Sequence, residues 1–133
     1  MKNVALFVVI GLFALLSACN KEACCEDIVG EWRLVEELMD PGDGSGTFQP
    51  IVSNKIVKFN SDGTFEANDD MCGLSNQSSA TNHTGTYDTS TETFSPDNCM
   101  SMAPMSYRYS VSGSYLILTY PCICGCQQKY KCI

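Results

Sequence analysis

The chain has 133 residues, a formal charge of −7, nine Cys, one His and one Trp, and 44% of it is hydrophobic, enough for one core. It is a single small domain at most, and its acidity excludes the phosphate backbone of nucleic acid as a natural partner. One His leaves no multi-His metal site to build, and neither a phosphate-cradling loop nor a dinucleotide fingerprint occurs.

At the amino end, Met1-Lys2-Asn3 is a short positive start and Val4 to Leu16 is an uncharged run rich in Val, Leu and Phe. As a helix this run covers only about 20 Å against a hydrocarbon core of roughly 30 Å, so it reads as a signal-peptide core and not a membrane span. Leu16-Ser17-Ala18-Cys19 resembles the lipobox of bacterial lipoproteins, in residue types and in distance from the start. The resemblance implies a signal peptide over 1–18, diacylglycerol on the Cys19 thiol, cleavage before Cys19 and an acylated new amino terminus. Each buried methylene contributes about 0.8 kcal/mol, so two or three acyl chains make a firm membrane anchor. Residues 19–27 are then a lipidated polar tether, and 28–133 form the domain. Asn20 follows Cys19 in place of the Asp that retains enteric lipoproteins at the inner membrane; by that family rule the outer membrane is favoured.

Between Ile28 and Met39, Trp32 and Leu34 alternate with Arg33 as on a half-buried strand, a reading favoured over the helix that Glu36, Glu37 and Leu38 would also suit. Asp40-Pro41-Gly42-Asp43-Gly44-Ser45-Gly46 is a loop. Strand character resumes from Ile51 to Phe59, Asn60-Ser61-Asp62-Gly63 supplies a turn, and Thr64 to Ala67 returns as the clearest hairpin. Residues 68–82 are polar and read as a long loop around Cys72. Residues 84–88 and 92–94 flank a second turn, and residues 107–111 and 115–120 flank a third at Ser112-Gly113. Pro121 stops the last of these, and Gln127 to Cys132 can close the sheet with Tyr130 inward and Lys129 and Lys131 outward. The expected fold is all-β: a small antiparallel barrel or half-barrel of about seven to eight strands, stapled by disulfides.

Gly30-Glu31-Trp32, the run Val57 to Phe65 with its Asp62-Gly63-Thr64-Phe65 ending, Gly85-Thr86-Tyr87 and the run Tyr109 to Leu118 resemble, in order and spacing, the small lipocalin-like lipoproteins of Bacteroidetes. The order is also similar to META-type domains, whose Gly-Cys-Asn motif has no counterpart beyond Met71-Cys72-Gly73. The lipocalin-like resemblance implies a barrel plugged at its closed end by Trp32 and possible binding of a small apolar molecule. Tyr87, Tyr107, Tyr109 and Tyr120 are the candidates to line such an interior or its mouth, with core packing as the simpler role. A filled barrel suits so short a chain better than a ligand-holding one.

Setting Cys19 aside leaves Cys24, Cys25, Cys72, Cys99, Cys122, Cys124, Cys126 and Cys132, an even set that reads as a disulfide framework in an exported chain. Adjacent Cys24 and Cys25 are too close to pair with each other and reach different partners. The expected arrangement ties this pair to the carboxy-terminal cluster and joins Cys72 to Cys99. The competing reading is a soft-metal site for copper or zinc, or a redox sensor, at Cys122, Cys124 and Cys126, with Cys99, Met100, Met102 and Met105 adding sulfur. Structural disulfides are favoured, and no cofactor is expected.

His83, Asp88 and nearby serines do not assemble a hydrolytic site, since no Gly-x-Ser-x-Gly elbow is present. Asp69-Asp70 and Asp40/Asp43 lack EF-hand spacing and read as solvated acidic loops. The sequence therefore points to a non-enzymatic lipoprotein, with the membrane, a small apolar molecule or an envelope protein as partners.

Overall fold

The computed structural model describes Cys25 and residues 27–75, 82–100 and 106–133; the signal segment, Cys19 and Cys24 lie outside the described residues. The strands are β1 (Gly30–Met39), β2 (Gln49–Pro50), β3 (Ile56–Phe59), β4 (Thr64–Ala67), β5 (His83–Asp88), β6 (Thr93–Pro96), β7 (Arg108–Ser112), β8 (Tyr115–Tyr120) and β9 (Cys126–Cys132). Apart from β2 they pair antiparallel in chain order, and β9 returns to pair with β1, closing an eight-stranded barrel. The short β2 adds beside the carboxy-terminal half of β1. No helix occurs among the described residues.

The barrel forms because its strands alternate with a period of two. Trp32 and Leu34, Val57 and Phe59, Phe65 and Ala67, and Leu116, Leu118 and Tyr120 point inward and are buried, while Arg33, Lys58 and Glu66 between them face water. Gly63, with φ of 85°, completes the tight turn between β3 and β4 in a conformation that side chains disfavour. Rings then fill the centre: Phe59 meets Phe65 and Tyr87 at 5.3 Å between centroids, Phe65 meets Phe94 at 6.0 Å, and Phe94 meets Tyr120 at 5.9 Å. Each such ring buried contributes about 1.5 to 3 kcal/mol.

Two boundaries differ from expectation. Strand structure begins at Ile56 and not at Ile51, because the Asn68 side chain takes the place of a ladder partner there. Its Oδ1 accepts the Ile56 N–H at 2.7 Å, and its Nδ2 donates to the Asn54 carbonyl at 2.8 Å. The last hairpin turns at Gly113 and Ser114, since Ser112 still pairs with Tyr115.

A bulge at Val35 shapes one end of the barrel. Leu34 pairs with Tyr130, but the next pairs are Glu36 with Lys129 and Glu37 with Gln128. One extra residue reverses the alternation of everything beyond it. Glu36 therefore points outward, where its carboxylate meets Lys129 Nζ at 3.1 Å, and Glu37 points inward, where it accepts from Gln128 Nε2 at 2.6 Å.

The start of β1, the end of β9 and the tight turns at 60–63, 89–92 and 113–114 share one end of the barrel, here called the tether end. There Trp32, fully buried, donates from Nε1 to the Ile28 carbonyl at 2.8 Å, and Cys25 is bonded to Cys132. Gly30 adjoins that bridge: a side chain on it would meet the Cys25 sulfur at 2.7 Å. The longer connections, 40–48, 68–82, 97–107 and 121–125, leave from the opposite, far end.

Candidate functional site

Side chains occupy the interior of the barrel. Tyr87 hydroxyl donates to the Asn60 carbonyl at 2.6 Å and Tyr107 hydroxyl to the Cys72 carbonyl at 3.2 Å. Tyr109 packs edge-on against Tyr87, with centroids 6.4 Å apart, and Tyr107 packs on Phe94 and Tyr120. The four tyrosines thus do not surround a common space: Tyr87 and Tyr109 belong to the tether half, and Tyr107 and Tyr120 to the far half. Burial holds the hydroxyl pKa of each above the ordinary tyrosine value.

The far end is closed by a polar cluster built from distant parts of the chain. Lys55, immediately before β3, turns its side chain inward along the same face as Val57 and Phe59 and is completely buried. Its ammonium donates to the carbonyls of Asp70 and Ser75 and, at 3.2 Å, to Gln128 Oε1. Gln128 Oε1 also accepts from Tyr120 hydroxyl at 2.8 Å and Tyr130 hydroxyl at 2.7 Å, and Gln128 Nε2 donates to Glu37 and to the Ser75 carbonyl. Among the described residues, no buried side-chain nitrogen or oxygen lacks a partner. Desolvation lowers the Lys55 pKa to about 8, while the carboxylates of Asp69, Asp70 and Glu37 limit the fall. Burial likewise raises the hydroxyl pKa of Tyr120 and of Tyr130.

Sequence reasoning missed this cluster, although the signal was present. Extending the alternation of Val57 and Phe59 back by two reaches Lys55, and extending that of Cys132 and Tyr130 back by two reaches Gln128. The expectation of a solvated loop at Asp69-Asp70 is corrected for Asp69. It is fully buried, and its carboxylate accepts the Asp70 N–H at 2.7 Å and the Ser75 hydroxyl at 3.2 Å. Asp40 also serves its own loop, accepting the N–H groups of Gly42, Gly44 and Gly46 at 2.6, 3.0 and 2.7 Å, with Gly46 first among the bonds that lower its pKa.

Bridges join Cys25 to Cys132, Cys72 to Cys99 and Cys122 to Cys126. The expectation that all eight remaining cysteines pair is corrected at Cys124, which is a free thiol. Cys122 and Cys126 on either side of it take each other, and the strand β9 separates it from the Cys25–Cys132 bridge by about 20 Å. Of the three sulfurs in this cluster, Cys122 and Cys126 are therefore spent on a bridge. The loop that carries them is exposed at its tip, Ile123 being 92% accessible.

On the outer wall, Glu31, Ile56, Lys58, Glu66, Ala67, Asn68 and Asn82 line an open depression of about 310 Å³. Lys58 stands between Glu31 and Glu66, at 3.9 and 3.8 Å. These are exposed pairs with little energetic weight.

No known protein family, no curated protein and no solved structure matches the chain. The fold defines the class: a closed eight-stranded antiparallel barrel with disulfide-bonded connections.

Proposed function

We propose that the chain is a lipid-anchored envelope lipoprotein whose barrel is a non-enzymatic module that presents its far end to a partner. The observation that carries this reading is the Cys25–Cys132 bridge at the tether end. Cys19 precedes Cys25 by six residues, so no more than about 21 Å of chain separates the lipid-bearing position from the barrel. The bridge fixes the exit point of the tether, so the end with tight turns stands towards the bilayer and the long connections stand away from it. Three bridges among the described residues support an oxidising compartment. An interior packed with aromatic side chains favours recognition on the outside over storage of an apolar molecule within.

The test is fractionation of cells making the natural chain or Cys19→Ser. The natural chain is expected in the membrane pellet and released by detergent, and the variant in the aqueous fraction with the same three bridges. A Cys19→Ser variant that stays in the pellet would overturn the anchor.

A further inference from the structure

We infer that opening the Cys72–Cys99 bridge creates a mixed sulfur, nitrogen and oxygen site for a zinc-class divalent ion at the far end of the barrel. This goes beyond the anchoring role and does not depend on it. The ligand atoms of Asp70, Cys72 and His83 lie within 4.8 Å of one another, and the Cys99 sulfur is bonded to that of Cys72. His83 Nδ1 is 3.7 Å from Asp70 Oδ1. Ligand bonds of about 2.0 to 2.3 Å in a tetrahedron place neighbouring donors roughly 3.3 to 3.8 Å apart, close to that separation.

The donors are held by separate parts of the fold. Asp70 is fixed through its carbonyl by Lys55, and Cys72 through its carbonyl by Tyr107 and through its N–H, which donates to Asp70 Oδ1 at 2.9 Å. His83 opens β5, in register with Ala67 of β4. These anchors do not involve the bridge, so they persist when it opens. His83 and Asp70 side chains are 22% and 41% accessible, which leaves an approach for an ion.

A dithiol reductant supplies two electrons and two protons to the Cys72–Cys99 bond, becoming a disulfide itself and leaving two thiols. Zinc then takes both sulfurs as thiolates, the Nδ1 lone pair of neutral His83 and one Asp70 oxygen, and the two thiol protons pass to solvent. Two thiolates, one imidazole and one carboxylate suit borderline zinc, whereas copper(I) favours an all-sulfur set. The oxidised chain cannot supply this site, because the sulfur bond consumes both thiolates.

The experiment uses the full chain, oxidised or reduced under inert gas, titrated with zinc against a chromogenic chelator. Alkylation and peptide mapping follow, with circular dichroism to follow the barrel. One zinc per reduced chain is expected, with Cys72 and Cys99 shielded from alkylation, Cys124 labelled, and none bound when oxidised. His83→Gln and Asp70→Asn should each weaken binding at least about tenfold. Cys122→Ser/Cys124→Ser/Cys126→Ser should retain full stoichiometry. Binding lost in that triple variant, affinity indifferent to His83 and Asp70, or equal binding by the oxidised chain would each overturn the inference. So would a reduced chain that loses its β signature and binds no zinc, since the barrel must hold the donors once the bridge is open.

Discussion

The two ends of the barrel are closed by different physics. At the tether end, tight turns bring strands together over a buried Trp32, whose one polar atom is satisfied by a carbonyl four residues away. At the far end, Lys55 and Glu37 reach Gln128 across 73 and 91 residues of sequence, and the plug is a network of hydrogen bonds. A ring bonded to nearby backbone tolerates imperfect surroundings, whereas a buried ammonium is stable only when every partner is in place. The comparison predicts that the tether end sets how stable the barrel is and that the far end sets how its stability responds to conditions.

The largest effect should come from the bridges. Cys25–Cys132 spans 107 residues and Cys122–Cys126 spans 4. Loop-closure entropy assigns about 4.7 kcal/mol to a cross-link of the first kind and roughly 2 kcal/mol to the second. Urea unfolding of Cys25→Ser/Cys132→Ser and Cys122→Ser/Cys126→Ser, each without reductant, should show the first losing about twice as much stability as the second. Equal losses would mean that the ends are not distinguished in this way.

Next in size is a pH effect confined to the far end. Lys55 titrates at about 8 when folded, against 10.5 as the ordinary value. The unfolded chain therefore binds more protons between these values, and stability rises with pH. The full penalty for burying the charge applies below pH 8. About 2 kcal/mol should be regained between pH 8 and pH 10, after which the raised tyrosines Tyr120 and Tyr130 act in the opposite direction. Measured with Cys124 alkylated, this slope should vanish in Lys55→Met while the slope of Trp32→Phe stays as in the natural chain. A slope that survives in Lys55→Met would place its origin elsewhere.

The same contrast explains what was legible in the sequence. Asn60-Ser61-Asp62-Gly63 and the alternation of Leu116, Leu118 and Tyr120 carry their structure in residues that are neighbours, so the hairpins and the all-β class could be read directly. The Val35 bulge could not. Glu36 and Glu37 are chemically equivalent in the sequence, and only pairing with Lys129 and Gln128 decides which one enters the barrel. The cysteines divide in the same way: eight allow 105 pairings, and it is the closure of β9 on β1 that sets Cys132 beside Cys25 and leaves Cys124 unpaired. The Asp70–Cys72–His83 group is not legible because His83 pairs on paper with Asp88 and the serines nearest to it in sequence. Its relevant neighbours arrive from another segment of the chain.

The smallest effect belongs to the wall between the ends, where the outward product of the bulge can be tested on its own. Lys129 Nζ lies 3.1 Å from Glu36, 4.7 Å from the Tyr115 ring centroid and 5.5 Å from that of Phe48. The Glu36 and Lys129 side chains remain partly in water, so their ion pair contributes at most about 1 kcal/mol and is screened by salt. The rings contribute independently of Glu36, roughly 0.5 kcal/mol each at a half-exposed site. Glu36→Gln should therefore lower stability by less than Lys129→Met, and raising the salt concentration should shrink the first loss more than the second. If Glu36→Gln instead destabilised the barrel by several kcal/mol, Glu36 would have to be the inward residue. The bulge, and with it the contrast between the two ends, would then be misplaced.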